Sequence, residues 1–136
     1  MAGSTPGALG FTKGSVVQEF YYDDDVDMDL RASIETDTGQ ELVDEDYGDV
    51  ADGAIIWWRL QDGDVEDLTD LIVDASGNLE DGGIVWVLSP KTSSPDYVEP
   101  AEIAEAAKTA GLHATSTISA AASWQGTKLT TRARGR

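Results

Sequence analysis

The chain has no cysteine. That excludes disulfide scaffolds, thiolate metal sites and thiol nucleophiles. A single histidine, His113, excludes a multi-histidine metal centre. Cations are scarce: 9 Lys and Arg face 26 Asp and Glu, a formal net charge of −17 over 136 residues. Binding to phosphate backbones runs on Lys and Arg, so neither nucleic acid nor an anionic membrane is expected as the main partner. No apolar run approaches the ~20 residues of a membrane span, and the N-terminus has no apolar signal core. A cytoplasmic protein is expected.

What is present suffices for a packed core. Hydrophobic residues make up 40% and include four Trp, more than a disordered chain carries. The length suits one domain. Charge divides the chain: residues 15–89 hold 22 acidic and two basic side chains, Arg31 and Arg59, a net −20. The remainder is mildly basic. Residues 1–14, rich in Gly and small side chains, read as a flexible arm anchored by Leu9 and Phe11. Residues 15–132 read as the folded domain and 133–136 as a basic tail.

Periodicity supplies the elements. SVVQEF, 15–20, is a strand pattern. Val26, Leu30 and Ile34 repeat every fourth residue, one helical face, with Asp23, Asp24 and Asp25 as N-cap candidates and Gly39 as the stop. Glu41–Val43 reads as a short strand. Ala54–Trp58 and Ile84–Leu88 are continuous apolar runs, the mark of strands buried on both faces. Between them Val65, Leu68, Leu71, Ile72, Ala75 and Leu79 mark a helix over 64–79, capped by Asp64 and Asp67. Asp81-Gly82-Gly83 is expected to end that unit. Pro100 opens a further helix that Gly111 stops. The stretch 113–123 and Thr127–Thr131, with a turn at Trp124-Gln125-Gly126, form an antiparallel hairpin. The expected class is α/β: a mostly parallel sheet with helices on both faces and a C-terminal antiparallel hairpin, a three-layer sandwich.

Chemical motifs are few. A nucleotide site at the end of the first strand wants a Gly-rich turn; here the turn is Tyr21-Tyr22-Asp23-Asp24-Asp25, with no Gly and three carboxylates. The run DDDVDMD fails as a calcium loop: counted from Asp25, position 6 is Leu30 and position 12 is Thr36. Asp44-Glu45-Asp46 stands where open α/β sheets keep a ribose-binding carboxylate. Trp57, Trp58 and Trp86 lie on the apolar strands; Trp57 and Trp58 fall on opposite sheet faces, and core packing is expected for at least one of that pair. His113 follows a helix stop with no nucleophile elbow, so it reads as a surface or strand-edge residue.

Two resemblances add to this. ADGAIIWWRLQDG, the helix after it, NLEDGGIVWVLSPK, AEAAKTAGL and the closing hairpin resemble the C-terminal half of a class I S-adenosylmethionine-dependent methyltransferase fold, over about residues 52–132. LGFTKGSVVQEFYYDDDVDMDLR, ELVDEDYGDV, DGGIVWVLSPK and SWQGTKL resemble the actinobacterial branch of the domain of unknown function 3052 family, over nearly the whole chain. The resemblance implies a small methyltransferase-like domain with Asp44 as the one positional candidate for cofactor contact. It also implies a genomic setting near a pyruvate dehydrogenase subunit and a peroxiredoxin.

No catalytic residue, metal or cofactor emerges from the residues themselves. The expectation is a non-catalytic, acidic binding or regulatory module that acts on an unidentified protein partner. Asp23, Asp24, Asp25, Asp27, Glu45 and Asp46 are the candidate partner surface. The alternatives are an atypical S-adenosylmethionine-dependent methyltransferase and an acidic competitor for a nucleic-acid-binding surface.

Overall fold

Continuous apolar strands dictate a sheet covered on both sides, and the computed structural model, which describes residues 9–131, has that form. Five strands run β1 (Val17–Phe20), β2 (Ala51–Trp57), β3 (Leu79–Pro90), β4 (Leu112–Ser119) and β5 (Trp124–Thr131). Their order across the sheet is β1-β2-β3-β5-β4. Parallel pairing joins β1 to β2 and β2 to β3, whereas β5 pairs antiparallel with both β3 and β4. Four strands therefore point the same way and β5 alone opposes them.

The helices α1 (Met28–Thr38), α2 (Val65–Ser76) and α3 (Pro100–Thr109) divide between the two faces. On one face Leu30 and Ile34 of α1 pack with Ile55, Trp57, Trp86 and Trp124. On the other, α2 and α3 bring Leu68, Ile72 and Ile103 onto Ile56, Trp58 and Val87. Trp57 and Trp58 thus sit on opposite faces, both buried, as strand alternation requires. Leu9 and Phe11 are buried in the α1-side core. Phe11 lies so close over Gly53 that any β-carbon there would clash with its ring.

Several boundaries differ from the sequence reading. Helix α1 is capped by Asp27, whose Oδ1 accepts the Leu30 amide at 2.8 Å, and not by Asp23, Asp24 or Asp25. Those three lie in a turn in which Val26 N donates to Asp23 O, and the helix begins at Met28 and not at Val26. Helix α2 has the expected capping box of Asp64 and Asp67 but ends at Ser76. Leu79 belongs to β3, so its apolar character came from strand burial and not from the helical stripe. Residues 81–83 continue β3 and do not end a unit. Glu41–Val43 contributes one parallel bridge, Val43 to Gln18, in place of a strand. Trp124 begins β5; the turn precedes it, with the amides of Ala120 and Ala121 both donating to Trp124 O at 3.0 Å.

Candidate functional site

In an open α/β sheet the ligand crevice lies beyond the carboxyl ends of the strands, where successive connections leave in opposite directions. Here that point is β1. The chain leaves β1 through α1, bridges back at Val43 on one side, then enters β2 on the other. The crevice therefore opens over Tyr21, between the 44–47 loop and the end of β2.

The protein's own side chains bind the turn at its base. Tyr21 has φ 62°, left-handed backbone at a bulky residue, where glycine is the usual solution. Its amide donates to Glu45 Oε2 at 2.8 Å, and its carbonyl accepts from Arg59 Nη1 at 2.9 Å. Arg59 follows β2 and is 3% exposed. Its Nε donates to Asp25 Oδ2 at 3.0 Å while Nη2 reaches Asp25 Oδ1; Nη1 also reaches Trp57 O at 3.0 Å and Asp62 Oδ2 at 3.3 Å. The guanidinium stands 5.4 Å from the Trp124 ring centre, and the Tyr21 ring is 5.7 Å from that of Trp58. One cation thus ties the β1 turn, the end of β2 and the start of β5.

The electrostatics follow from these partners. Burial works against the Arg59 charge, but hydrogen bonds and the charges of Asp25 and Asp62 outweigh it and raise its pKa. The Arg59 hydrogen bonds lower the pKa of Asp25. A second pair lies beneath: Arg31 donates twice to Glu19, at 2.7 and 2.8 Å, and Trp57 Nε1 donates to Glu19 Oε2 at 2.9 Å. These bonds to Glu19 raise the pKa of Arg31. Both arginines of the acidic body are therefore consumed inside it.

The candidate residues scatter. The Asp44 carboxylate accepts the Asp46 amide in its own turn, and its carbonyl accepts Gln18 Nε2. Asp23 accepts the Asp24 amide, Asp25 holds Arg59, Asp27 caps α1, and Glu45 takes the Tyr21 amide. Asp24 and Asp46 are exposed. The residue that organises the crevice, Arg59, was missed by sequence reasoning; the available signal was a lone cation directly after two buried tryptophans. Among the described residues no group of three or more acidic or histidine side chains forms a metal site. No described helix is long and apolar enough to cross a membrane.

Beside the crevice runs an open cleft of about 580 Å³, lined by Gln18, Phe20 and Tyr21, by Glu45 and Asp62, and by Asp67, Asp70, Leu71, Asp74 and Asn78 along α2. Across Asp25 a second cleft of about 380 Å³ includes Lys91, Ser94 and Trp124.

A family described as a protein of unknown function, DUF3052, matches residues 7–133. This chain belongs to the DUF3052 family. Uncharacterized proteins of Mycobacterium tuberculosis and Mycobacterium bovis are each 46% identical over 121 residues, spanning 89% of this chain and 74% of theirs. Among solved structures, the pyocyanin biosynthetic protein PhzM superimposes with a TM-score of 0.70 at 10% identity, covering 93% of this chain and 53% of that one. Magnesium protoporphyrin IX methyltransferase from Synechocystis PCC 6803, with bound SAM, gives 0.57 at 12% identity, over 92% and 74%. At such identities the likeness establishes the fold: this DUF3052 chain has a class I methyltransferase fold.

Proposed function

We propose that this DUF3052 protein is a non-catalytic, protein-binding module on a methyltransferase fold whose cofactor crevice is closed by its own side chains. The carrying observation is the Tyr21 turn. The fold implies S-adenosylmethionine above β1, held by backbone amides of the first turn and a carboxylate of the next connection. Here Glu45, from that connection, accepts the Tyr21 amide, and Arg59 closes the other side onto Asp25. The residues present do not fit the cofactor: the amide is satisfied, and a bulky Tyr replaces glycine.

The charge pattern supports the binding role. Residues 15–89 carry a net −20 against −17 for the whole chain, and their two arginines are internally paired, so the surface there attracts cations. Melting with and without saturating S-adenosylmethionine tests the reading. The expected outcome is an unchanged midpoint; an upward shift of several degrees would show a working cofactor site. Affinity purification of the full chain from its native cell, with mass spectrometry, then identifies the partner.

A further inference from the structure

We propose that the groove between β1 and α2 is the docking site for an arginine- and lysine-rich segment of a protein partner. This deepens the reading above and rests on it. On this side of the sheet α2 packs on β2 and β3, and α3 on β4 and β5. Beside α2 the sheet face over β1 is left as the 580 Å³ groove, with Gln18 and Phe20 of β1 opposite Leu71 of α2. Phe20 and Leu71 give it an apolar floor. Its mouth carries Tyr21, 39% exposed. Exposed aromatic and apolar groups with a polar rim are the composition of a protein-binding patch.

The walls name the partner's chemistry. Glu45, Asp62, Asp67, Asp70 and Asp74 line the groove, and among the described residues no Lys or Arg does. Asp62 and Glu45 are bound internally, and Asp67 closes the α2 capping box. Asp70 and Asp74 are exposed, and their carboxylates have no partner among the described residues. They stand four apart on one helical face, where like charges repel. Asp74 also lies in the last turn of α2, which has no basic residue, although that end of a helix favours cations. The arrangement costs the free protein stability, and a cationic segment along α2 relieves it. From Asp67 to Asp74 the wall is two turns long, ~10 Å at 1.5 Å per residue, so arginines spaced three or four apart on a partner helix meet it in register.

The test is fluorescence anisotropy with the full chain. The probe is a labelled peptide of about 11 residues, with leucines on one helical face and three arginines at spacings of three and four. The parent is expected to bind it in dilute buffer and more weakly at about 0.15 M NaCl. Asp70→Asn with Asp74→Asn should lower affinity at least about tenfold. The control, Glu41→Gln with Glu66→Gln, removes two charges outside the groove and should lose less than about threefold. Equal losses in both variants, or no binding by the parent, overturn the groove as the site. If removing residues 132–136 raises parent affinity more than about tenfold, the chain's own basic end is the occupant and the partner proposal falls. S-adenosylmethionine binding by the parent would overturn the non-catalytic reading, whatever the peptide does.

Discussion

Arg59 and Asp25, 34 residues apart, meet in a two-pronged ion pair in which the arginine side chain is 4% exposed and the carboxylate 52% exposed. The pair pins the turn after β1 against the end of β2. A buried guanidinium with five acceptor atoms on four residues organises more than its charge: it supplies the donors for Tyr21 O and Trp57 O.

Replacing Arg59 should therefore destabilise strongly. Arg59→Met leaves two carbonyls without a donor and releases Asp25 and Asp62, an expected cost of about 3 kcal/mol. Arg59→Lys should recover less than half, because one ammonium cannot reproduce the planar fork. Urea denaturation of both variants measures this; full recovery by Lys would mean that charge alone matters.

The Asp25 contribution should depend on pH. Its folded pKa is depressed by Arg59, so its stabilisation is present above the unfolded pKa of ~3.9 and is lost as pH falls through the folded value. Asp25→Asn should be less stable than the parent at neutral pH. The gap should close below about pH 4 as the parent's carboxylate protonates. A gap that stays constant across that range would show that the ion pair does not carry the difference.

Helix α2 offers a contrast of neighbours. Leu71 is 7% exposed, packed into the core at the groove floor, whereas Asp70 is an exposed residue of the groove wall. Leu71→Asp buries an unpaired carboxylate, at a cost of several kcal/mol against a total stability of ~5–15, and should unfold the chain. Asp70→Asn should fold normally and melt slightly higher, since it removes a repulsive partner of Asp74. Circular-dichroism melts decide; equal melts would misplace the helix face.

Salt should stabilise the protein. Residues 15–89 carry a net −20, and both of their arginines are already paired. At about 0.15 M NaCl the Debye length is ~8 Å, which screens repulsion between neighbouring exposed carboxylates. The Arg59–Asp25 contact loses less because its cation is buried. A melting temperature that falls between dilute buffer and that salt would mean attractive pairing dominates. In that case removing residues 132–136 should abolish the fall.

How much of this was legible depended on where periodicity decides structure. Ile55 and Ile56 are both fully buried, so their unbroken run could only mean a strand covered on two faces. Leu79 was misassigned because spacing from Ala75 fits a helix as well as the start of a buried strand does, and Gly77 was not read as the break. The crevice was half visible. The missing glycines announced an unsuitable nucleotide turn, but no local pattern joins Arg59 to Asp25 or Glu45 to Tyr21. Those contacts span 34 and 24 positions and exist only once β1 and β2 are paired. The α2 groove escaped for a related reason: Asp70 and Asp74 read as a solvated helix face until the 44–47 loop supplies the opposite wall.

Isothermal titration of S-adenosylmethionine into the intact chain decides whether the crevice over Tyr21 admits the cofactor. A crevice closed by Glu45, Tyr21 and the Arg59–Asp25 pair should give only dilution heat at micromolar to near-millimolar ligand. A saturable one-site curve that Asp44→Ala abolishes would contradict the account, because it would show that the turn opens and the cofactor site works.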